Sequence, residues 1–289
     1  MCEKDDLGLI SYNDVTRRGF TAMAAGGIAA AAGAGAAVAA AAVEERNVMV
    51  KTPDGECDAA LFLPQGLGAK PGVVFWPDIF GLRPAMRDMG RRLAGEGYVV
   101  LVVNPFYRGG DAESIAAKAA PLTDRMEKMK VFGAERAKHT DDAIASDAKT
   151  FVAYLDALAE TSDAKVGVQG YCMGGPLSFR TAAAVPARIG AVGSFHGAGL
   201  TTDQPNSPHL LVASTDATYL VCIAKNDDGK DPQSKVILTE TFAKTGKSGT
   251  VEVYGGDHGW CVPDSAVYNQ GEAERAWGNL LKTYKTALV

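Results

Sequence analysis

The segment at residues 170–175, Gly-Tyr-Cys-Met-Gly-Gly, constrains the fold of this chain more than any other. It follows an apolar run at 165–169, typical of a short buried strand, and precedes a segment at 176–180 that opens a helix. A sharp turn from strand to helix leaves little room for side chains, which explains the glycines, and it strains the backbone of the central residue. That residue is Cys172. The pattern therefore predicts a strand, a turn that exposes a nucleophile and a helix.

Apolar runs and amphipathic segments alternate along the rest of the chain. Strands are predicted at 46–50, 59–63, 72–76, 98–103, 165–169, 189–195, 219–223 and 250–254, and the clearest helices at 141–158, 234–243 and 272–287. Strands that alternate with helices are joined by right-handed crossovers and form a mostly parallel sheet. Together with the nucleophile turn, this pattern predicts an α/β-hydrolase fold, a three-layer sandwich of a central sheet flanked by helices. We expect a single domain over 44–289.

Residues 1–43 have a different character and are predicted to be a targeting segment. Arg17 and Arg18 form a paired-arginine motif, which a long run of alanine and glycine follows up to Val43. Small residues near Ala42 suit an Ala-x-Ala cleavage site. These features resemble a twin-arginine export signal. They imply recognition by the twin-arginine export machinery and a periplasmic location, and the alternative is a membrane anchor that stays attached.

Charge and cysteine content exclude several classes of function. The net charge of −5 and the pI near 5.5 argue against nucleic acid or an anionic membrane as a partner. After removal of the signal, the cysteines would be Cys57, Cys172, Cys222 and Cys261. Their spacing contains no CxxC pair, so it predicts neither a metal site nor a dithiol redox centre. Whether Cys57 pairs with Cys261 is left open.

The order of residues along the chain selects the partners of Cys172. In an α/β-hydrolase the acid and then the histidine follow the nucleophile, each beyond the carboxyl end of a strand. Asp227 follows the predicted strand at 219–223, with Asp228 as its rival, and His258 follows the strand at 250–254. His196, at the end of the strand at 189–195, is equally compatible with a structural role and with a substrate contact.

These residue types define a reaction. An imidazole at His258 can accept the thiol proton of Cys172, because the thiolate is the competent nucleophile. Asp227 would hold the imidazole in the correct tautomer. Backbone N–H groups of Met173 and Ile79 are the candidates for stabilising the tetrahedral oxyanion. Activated esters and lactones suit such a thiolate better than unactivated amides do.

The combined motifs resemble the dienelactone hydrolase family over roughly residues 45–288. The resemblance is carried by the segment 170–175, by Asp-Ile-Phe-Gly at 78–81, by Asp227 and by Gly-Asp-His-Gly-Trp at 256–260. It implies hydrolysis of 4-carboxymethylenebut-2-en-4-olide to maleylacetate by a monomer, without cofactor or metal. It also implies that a carboxylate at Asp78 engages the resting thiol until substrate binds.

Two departures from the family pattern concern the substrate. Asp78 is one methylene shorter than the glutamate usual in the family, and residues 260–264 hold no arginine to bind a substrate carboxylate. Tyr107, His196 and Trp260 are predicted to line the pocket. The alternatives are a broader carboxylesterase that does not use dienelactone, and a non-catalytic exported binding protein on a hydrolase scaffold.

Overall fold

A computed structural model describes residues 42–66 and 68–289 of the chain, so the predicted export segment lies outside the described residues apart from its last two positions. These residues contain one eight-stranded sheet. The strands are β1 (Val43–Thr52), β2 (Gly55–Pro64), β3 (Gly72–Trp76), β4 (Val99–Val103), β5 (Val166–Tyr171), β6 (Ile189–Phe195), β7 (Thr218–Ala224) and β8 (Gly249–Tyr254). Their order across the sheet is β1-β2-β4-β3-β5-β6-β7-β8.

Most of the sheet is parallel, as the sequence predicts. β3 to β8 pair in parallel, whereas β1 pairs antiparallel with β2 and β2 antiparallel with β4. Every residue of β3, β4 and β5 is buried. Continuous apolar strands of this kind are stable only where both faces of a sheet are covered.

Helices cover both faces. They are α1 (Pro84–Gly95), α2 (Ala112–Ala119), α3 (Arg125–Arg136), α4 (Asp141–Asp156), α5 (Gly174–Ala184), α6 (Pro208–Leu211), α7 (Lys225–Lys230), α8 (Gln233–Thr245) and α9 (Gln270–Ala287). One core cluster includes Phe151 of α4 and Phe179 of α5, and the other includes Met86 of α1 and Leu280 of α9. Alternate residues of β2 divide between the two clusters, so the clusters lie on opposite faces. The predicted three-layer α/β fold is confirmed.

The cysteines follow this division. Cys57 belongs to the first cluster and Cys261 to the second, and all four cysteines of the described part of the chain are free thiols. The open question of a Cys57–Cys261 disulfide is thereby answered, because the sheet separates the two residues.

The structure differs from the sequence-based boundaries at several elements. For residues 105–140 the sequence indicates a loop with one or two helices, and the structure has two, α2 and α3, whose first N–H groups are capped by Asp111 and Asp124. The segment around Asp227, predicted as a loop, forms the short helix α7. β1 starts at Val43, the last residue assigned to the export segment, because Val43 pairs with Pro64 of β2. No helix in the described residues is both long enough and apolar enough to cross a membrane.

Candidate active site

Cys172 occupies the sharp turn between β5 and α5. Its φ of 52° is in the left-handed region that L-residues rarely adopt. The turn is tied down by the N–H of Cys172, which donates to Phe195 O at 2.9 Å, and by the N–H of Gly175, which donates to Cys172 O at 3.1 Å. A Cβ at Gly170 would collide with the carbonyl of Gly174. This glycine is therefore needed for helix α5 to begin directly behind the cysteine.

His258 and Asp227 are held together at the carboxyl ends of β8 and β7. Nδ1 of His258 lies 2.6 Å from Oδ2 of Asp227, and the backbone N–H of His258 donates to Oδ1 of Asn226 at 2.8 Å. Asp228, the rival acid, accepts instead from Nζ of Lys235 at 2.8 Å. Of the two candidate acids, Asp227 is the one that contacts the histidine.

Cys172 lies close to two histidines. One ring nitrogen of His196, one ring nitrogen of His258 and the Sγ of Cys172 all lie within 4.8 Å of one another. Burial by itself would lower the pKa of His258, but its interactions with Asp227 and Cys172 outweigh this effect and raise the pKa to about 10. The site is built to hold a proton on this imidazole next to the sulfur.

His196 is a buried residue that packs against His258. It ends β6 with a φ of 40°, it is 1% exposed, and its ring lies 4.7 Å from that of His258 between centroids. Neither ring nitrogen has a hydrogen-bond partner among the described residues. Burial, followed by the charge of His258, lowers the pKa of His196 well below its usual value. His196 is therefore a neutral imidazole with an unsatisfied donor and acceptor in direct contact with the site.

The two residues predicted for the oxyanion hole belong to one apolar cluster with Cys172. Ile79, in the loop after β3, and Met173, the residue after the nucleophile, are both buried there. A Cβ at Gly174 would collide with Trp76 O and lie 2.8 Å from Pro77 O, so the backbone of the turn nearly touches this loop. The same cluster contains Phe106 and Phe132, which together with Phe80 give the cleft an apolar wall.

Asp78 is held by an arginine in this structure. Arg83 donates from its two terminal nitrogens to Oδ1 and Oδ2 of Asp78 at 2.7 and 3.0 Å, and the Phe80 N–H donates to Oδ1 at 2.9 Å. On its other side Arg83 forms two hydrogen bonds, of 2.7 and 2.8 Å, to Asp264 beyond the loop of His258. The carboxylate of Asp78 is thus committed to this bridge, and its predicted role towards the thiol stays a prediction.

The remaining predicted pocket residues lie in different places. The phenol oxygen of Tyr107 lies 2.6 Å from Oδ1 of Asp147 and 2.9 Å from Oγ1 of Thr52, inside the core cluster of the α4 face. Trp260 is fully buried, stacks on Tyr254 and meets the edge of His196 at 6.5 Å between centroids. Trp260 therefore contacts the site through His196, whereas the side chain of Tyr107 forms its hydrogen bonds within the core.

Sequence reasoning missed Asn226, Asp264 and Phe132 as parts of this region, and it did not predict the bridge that Arg83 forms. Asn226 directly precedes the acid, so its position was a usable signal. The bridge between Arg83 and Asp264 spans 181 positions in sequence, and no local pattern reveals it.

Comparison with known proteins agrees with the fold. The family model described as "Dienelactone hydrolase family" matches residues 57–288. A putative carboxymethylenebutenolidase of Synechocystis sp. is 26% identical over 257 residues, 85% of this chain and 99% of the relative. A carboxymethylenebutenolidase of a Pseudomonas species is 33% identical over 129 residues, 45% of this chain and 51% of the relative.

Solved structures show the same fold. The crystal structure of a putative dienelactone hydrolase from Klebsiella pneumoniae superposes with a TM-score of 0.73 at 20% identity, covering 84% of this chain and 99% of that one. Because the family model spans most of the chain, this protein belongs to the dienelactone hydrolase family and is a hydrolase of esters or lactones.

Proposed function

We propose that Cys172, Asp227 and His258 form a catalytic triad that opens small lactones or cleaves small activated esters. The observation that carries the proposal is the contact of 2.6 Å between His258 and Asp227, with Cys172 on the other side of the same imidazole. This arrangement links nucleophile, base and orienting acid in the order that covalent acyl transfer requires.

The proposed reaction follows from the geometry. Asp227 accepts the Nδ1–H of His258, which leaves Nε2 to take the proton of the Cys172 thiol. The thiolate attacks the substrate carbonyl, and the N–H groups of Met173 and Ile79 stabilise the oxyanion. His258 then protonates the leaving alkoxide, and an attacking water, deprotonated by His258, releases the acid from the thioester.

The walls of the cleft favour a small, weakly polar substrate. The apolar cluster next to Cys172 offers aromatic and aliphatic contacts. Three arginines could replace the missing carboxylate-binding arginine, but each already forms ion pairs with carboxylates. The pairs are Arg83 with Asp78 and Asp264, Arg87 with Glu45, and Arg108 with Asp54 and Asp147. We therefore propose simple esters and lactones as substrates ahead of the carboxylate-bearing dienelactone.

The location and partners of the protein remain proposals as well. We propose that the twin-arginine-like segment directs the folded chain to the periplasm, where it acts as a monomer on small molecules. The alternative hypothesis is a non-catalytic binding protein on the same scaffold. The contact between His258 and Asp227 argues against it, because binding alone does not require an oriented base.

Replacement of the nucleophile tests the proposal. Cys172→Ala should reduce p-nitrophenyl acetate turnover by on the order of 10⁴-fold or more, because the acyl acceptor is lost. Cys57→Ala is the matched control, since it makes the same change in a core cluster that does not contain Cys172. Substantial turnover by a folded Cys172→Ala variant, with folding checked by circular dichroism, would rule out the assigned nucleophile.

A panel of substrates tests specificity. The protein should hydrolyse simple esters and neutral lactones faster than cis- or trans-dienelactone, because Arg83, Arg87 and Arg108 are already paired with carboxylates. A preference for dienelactone would contradict the proposed substrate class while leaving the triad intact.

A further inference from the structure

We propose that Cys172, His196 and His258 form a binding site for one Zn²⁺ ion, and that its occupancy blocks hydrolysis. The site takes a borderline-soft divalent cation, because its three potential ligands are one sulfur and two imidazoles. The three ligand atoms lie within 4.8 Å of one another. The proposal goes beyond the hydrolytic function and stands on ligand geometry, independently of turnover.

The distances suit such an ion after small movements. Zn–S and Zn–N bonds of about 2.0–2.3 Å place tetrahedral ligand atoms about 3.5 Å apart. Side-chain rotations of His258 and Cys172, which are only partly buried, can close the remaining gap. Three protein ligands would leave a fourth position for water at the open side of the cleft.

His196 is the residue that distinguishes this site from an ordinary Cys-His pair. It is 1% exposed, both of its ring nitrogens lack hydrogen-bond partners within the described residues, and its ring packs against that of His258. A buried imidazole normally has a partner, so an unsatisfied one beside a thiol requires an explanation. A cation bound to the lone pair of His196 would satisfy one of these two nitrogens.

Asp227 prepares His258 as a ligand. The carboxylate lies 2.6 Å from Nδ1, so Nδ1 carries the hydrogen and Nε2 is left with its lone pair on the side of Cys172. Binding replaces the single proton shared between Cys172 and His258 with the metal, and that proton passes to solvent. With both atoms coordinated, neither the nucleophile nor the base is available to a substrate.

Titration of the full chain with Co²⁺, a spectroscopic substitute for Zn²⁺, gives a readout that does not depend on activity. We expect a thiolate-to-cobalt charge-transfer absorption in the near ultraviolet, with Zn²⁺ displacing the cobalt. The band should be absent in Cys172→Ser, which also excludes the other cysteines as its source. In parallel, Zn²⁺ should inhibit ester hydrolysis and a chelator should restore it.

Removal of the third ligand decides the assignment. His196→Phe keeps a ring of similar shape and should weaken Co²⁺ binding by at least about 10- to 100-fold. Losses of this size are expected even when the residue removed only hydrogen-bonds to a metal ligand. His209→Phe, a histidine bonded to Ser207 instead, should leave binding unchanged. Asp227→Asn keeps all three ligands and provides a second variant, expected to weaken binding by about 10-fold or more, if His196→Phe does not fold.

The outcomes separate this proposal from the catalytic one. A thiolate–cobalt band with unchanged affinity in His196→Phe, or no band in the wild type, would overturn the three-ligand site. Metal binding as described in a protein that hydrolyses no ester would leave the site standing and refute only the proposed triad chemistry.

Discussion

The sulfur of Cys172 and the imidazole of His258 determine what this site can do at the scale of single residues. The raised pKa of His258, to about 10, means that the ring holds its proton at neutral pH when the sulfur is ionised. Asp227 supplies the contact that fixes the ring, while His196 stays neutral beside it. Proton transfer within this pair is thus favoured in one direction, from the thiol of Cys172 to the imidazole of His258.

Replacement of the orienting acid should reduce the rate without unfolding the protein. Asp227→Asn is expected to lower kcat for p-nitrophenyl acetate by up to about 10⁴-fold, because the amide favours the wrong tautomer of His258. Asp228→Asn is the control, since its carboxylate contacts Lys235. Equal losses in the two variants would argue against Asp227 as the acid of the triad.

The raised pKa of His258 also predicts a dependence of stability on pH. A folded-state pKa of about 10, above the ordinary value of 6.5, means that protonated His258 stabilises the fold fully below pH 6.5. This contribution is lost as the pH rises from 6.5 through about 10. Urea unfolding should therefore show that the advantage of wild type over His258→Gln shrinks between pH 6.5 and 10. A constant difference would contradict the raised pKa.

At the scale of elements, Arg83 joins two loops that carry the site. It bonds Asp78 in the loop after β3, beside Ile79, and Asp264 beyond the loop of His258. The side chain of Asp78 is only 9% exposed, so water has little access to its carboxylate and Arg83 is its main charged neighbour. The bridge ties the loop of Ile79, the proposed oxyanion donor, to the segment that follows the loop of His258.

Loss of the bridge should destabilise the protein. Arg83→Gln leaves the buried carboxylate of Asp78 unpaired and is expected to lower the free energy of unfolding by about 3 kcal/mol. Arg46→Gln, which removes an ion pair with both side chains 44% exposed, should cost at most about 1 kcal/mol. Denaturant unfolding measures both. Similar small losses would show that Asp78 does not need the arginine.

At the scale of the whole molecule, the parallel sheet brings the site together. β5, β6, β7 and β8 are neighbours and point in the same direction, so their carboxyl ends deliver Cys172, His196, Asp227 and His258 to one edge. The part of the chain that forms this sheet begins at Val43, the last residue of the predicted export segment. The folded enzyme and its proposed targeting signal are adjacent along the sequence.

Export can be tested on the full chain. The paired substitution Arg17→Lys with Arg18→Lys should prevent appearance in the periplasm, because the twin-arginine route recognises the arginine pair. Cell fractionation with detection of the protein gives the measurement. A matched change outside the motif, Lys4→Arg, should leave the distribution unchanged, and periplasmic protein from the double variant would contradict the proposed route.

The fold class, the strands and the three residues proposed for catalysis could be predicted from the amino-acid sequence alone. Periodicity reports burial on one or both faces of an element, and the glycines around Cys172 report a turn that other residues would block. Chain order then identified Asp227 and His258, because consecutive parallel strands end at one edge. Periodicity, turn residues and chain order are all properties of the linear chain, so a single sequence contains them.

The long-range contacts that complete the site could be seen only once the chain was folded. Folding committed Asp78 to Arg83 and Asp264, placed Tyr107 against Asp147 in the core, and seated His196 beside His258 without a hydrogen-bond partner in the described residues. Each of these outcomes depends on side chains far apart in sequence meeting at one point. Charge and polarity can reveal that a residue needs a partner, but packing of the whole sheet and its loops decides which partner it finds.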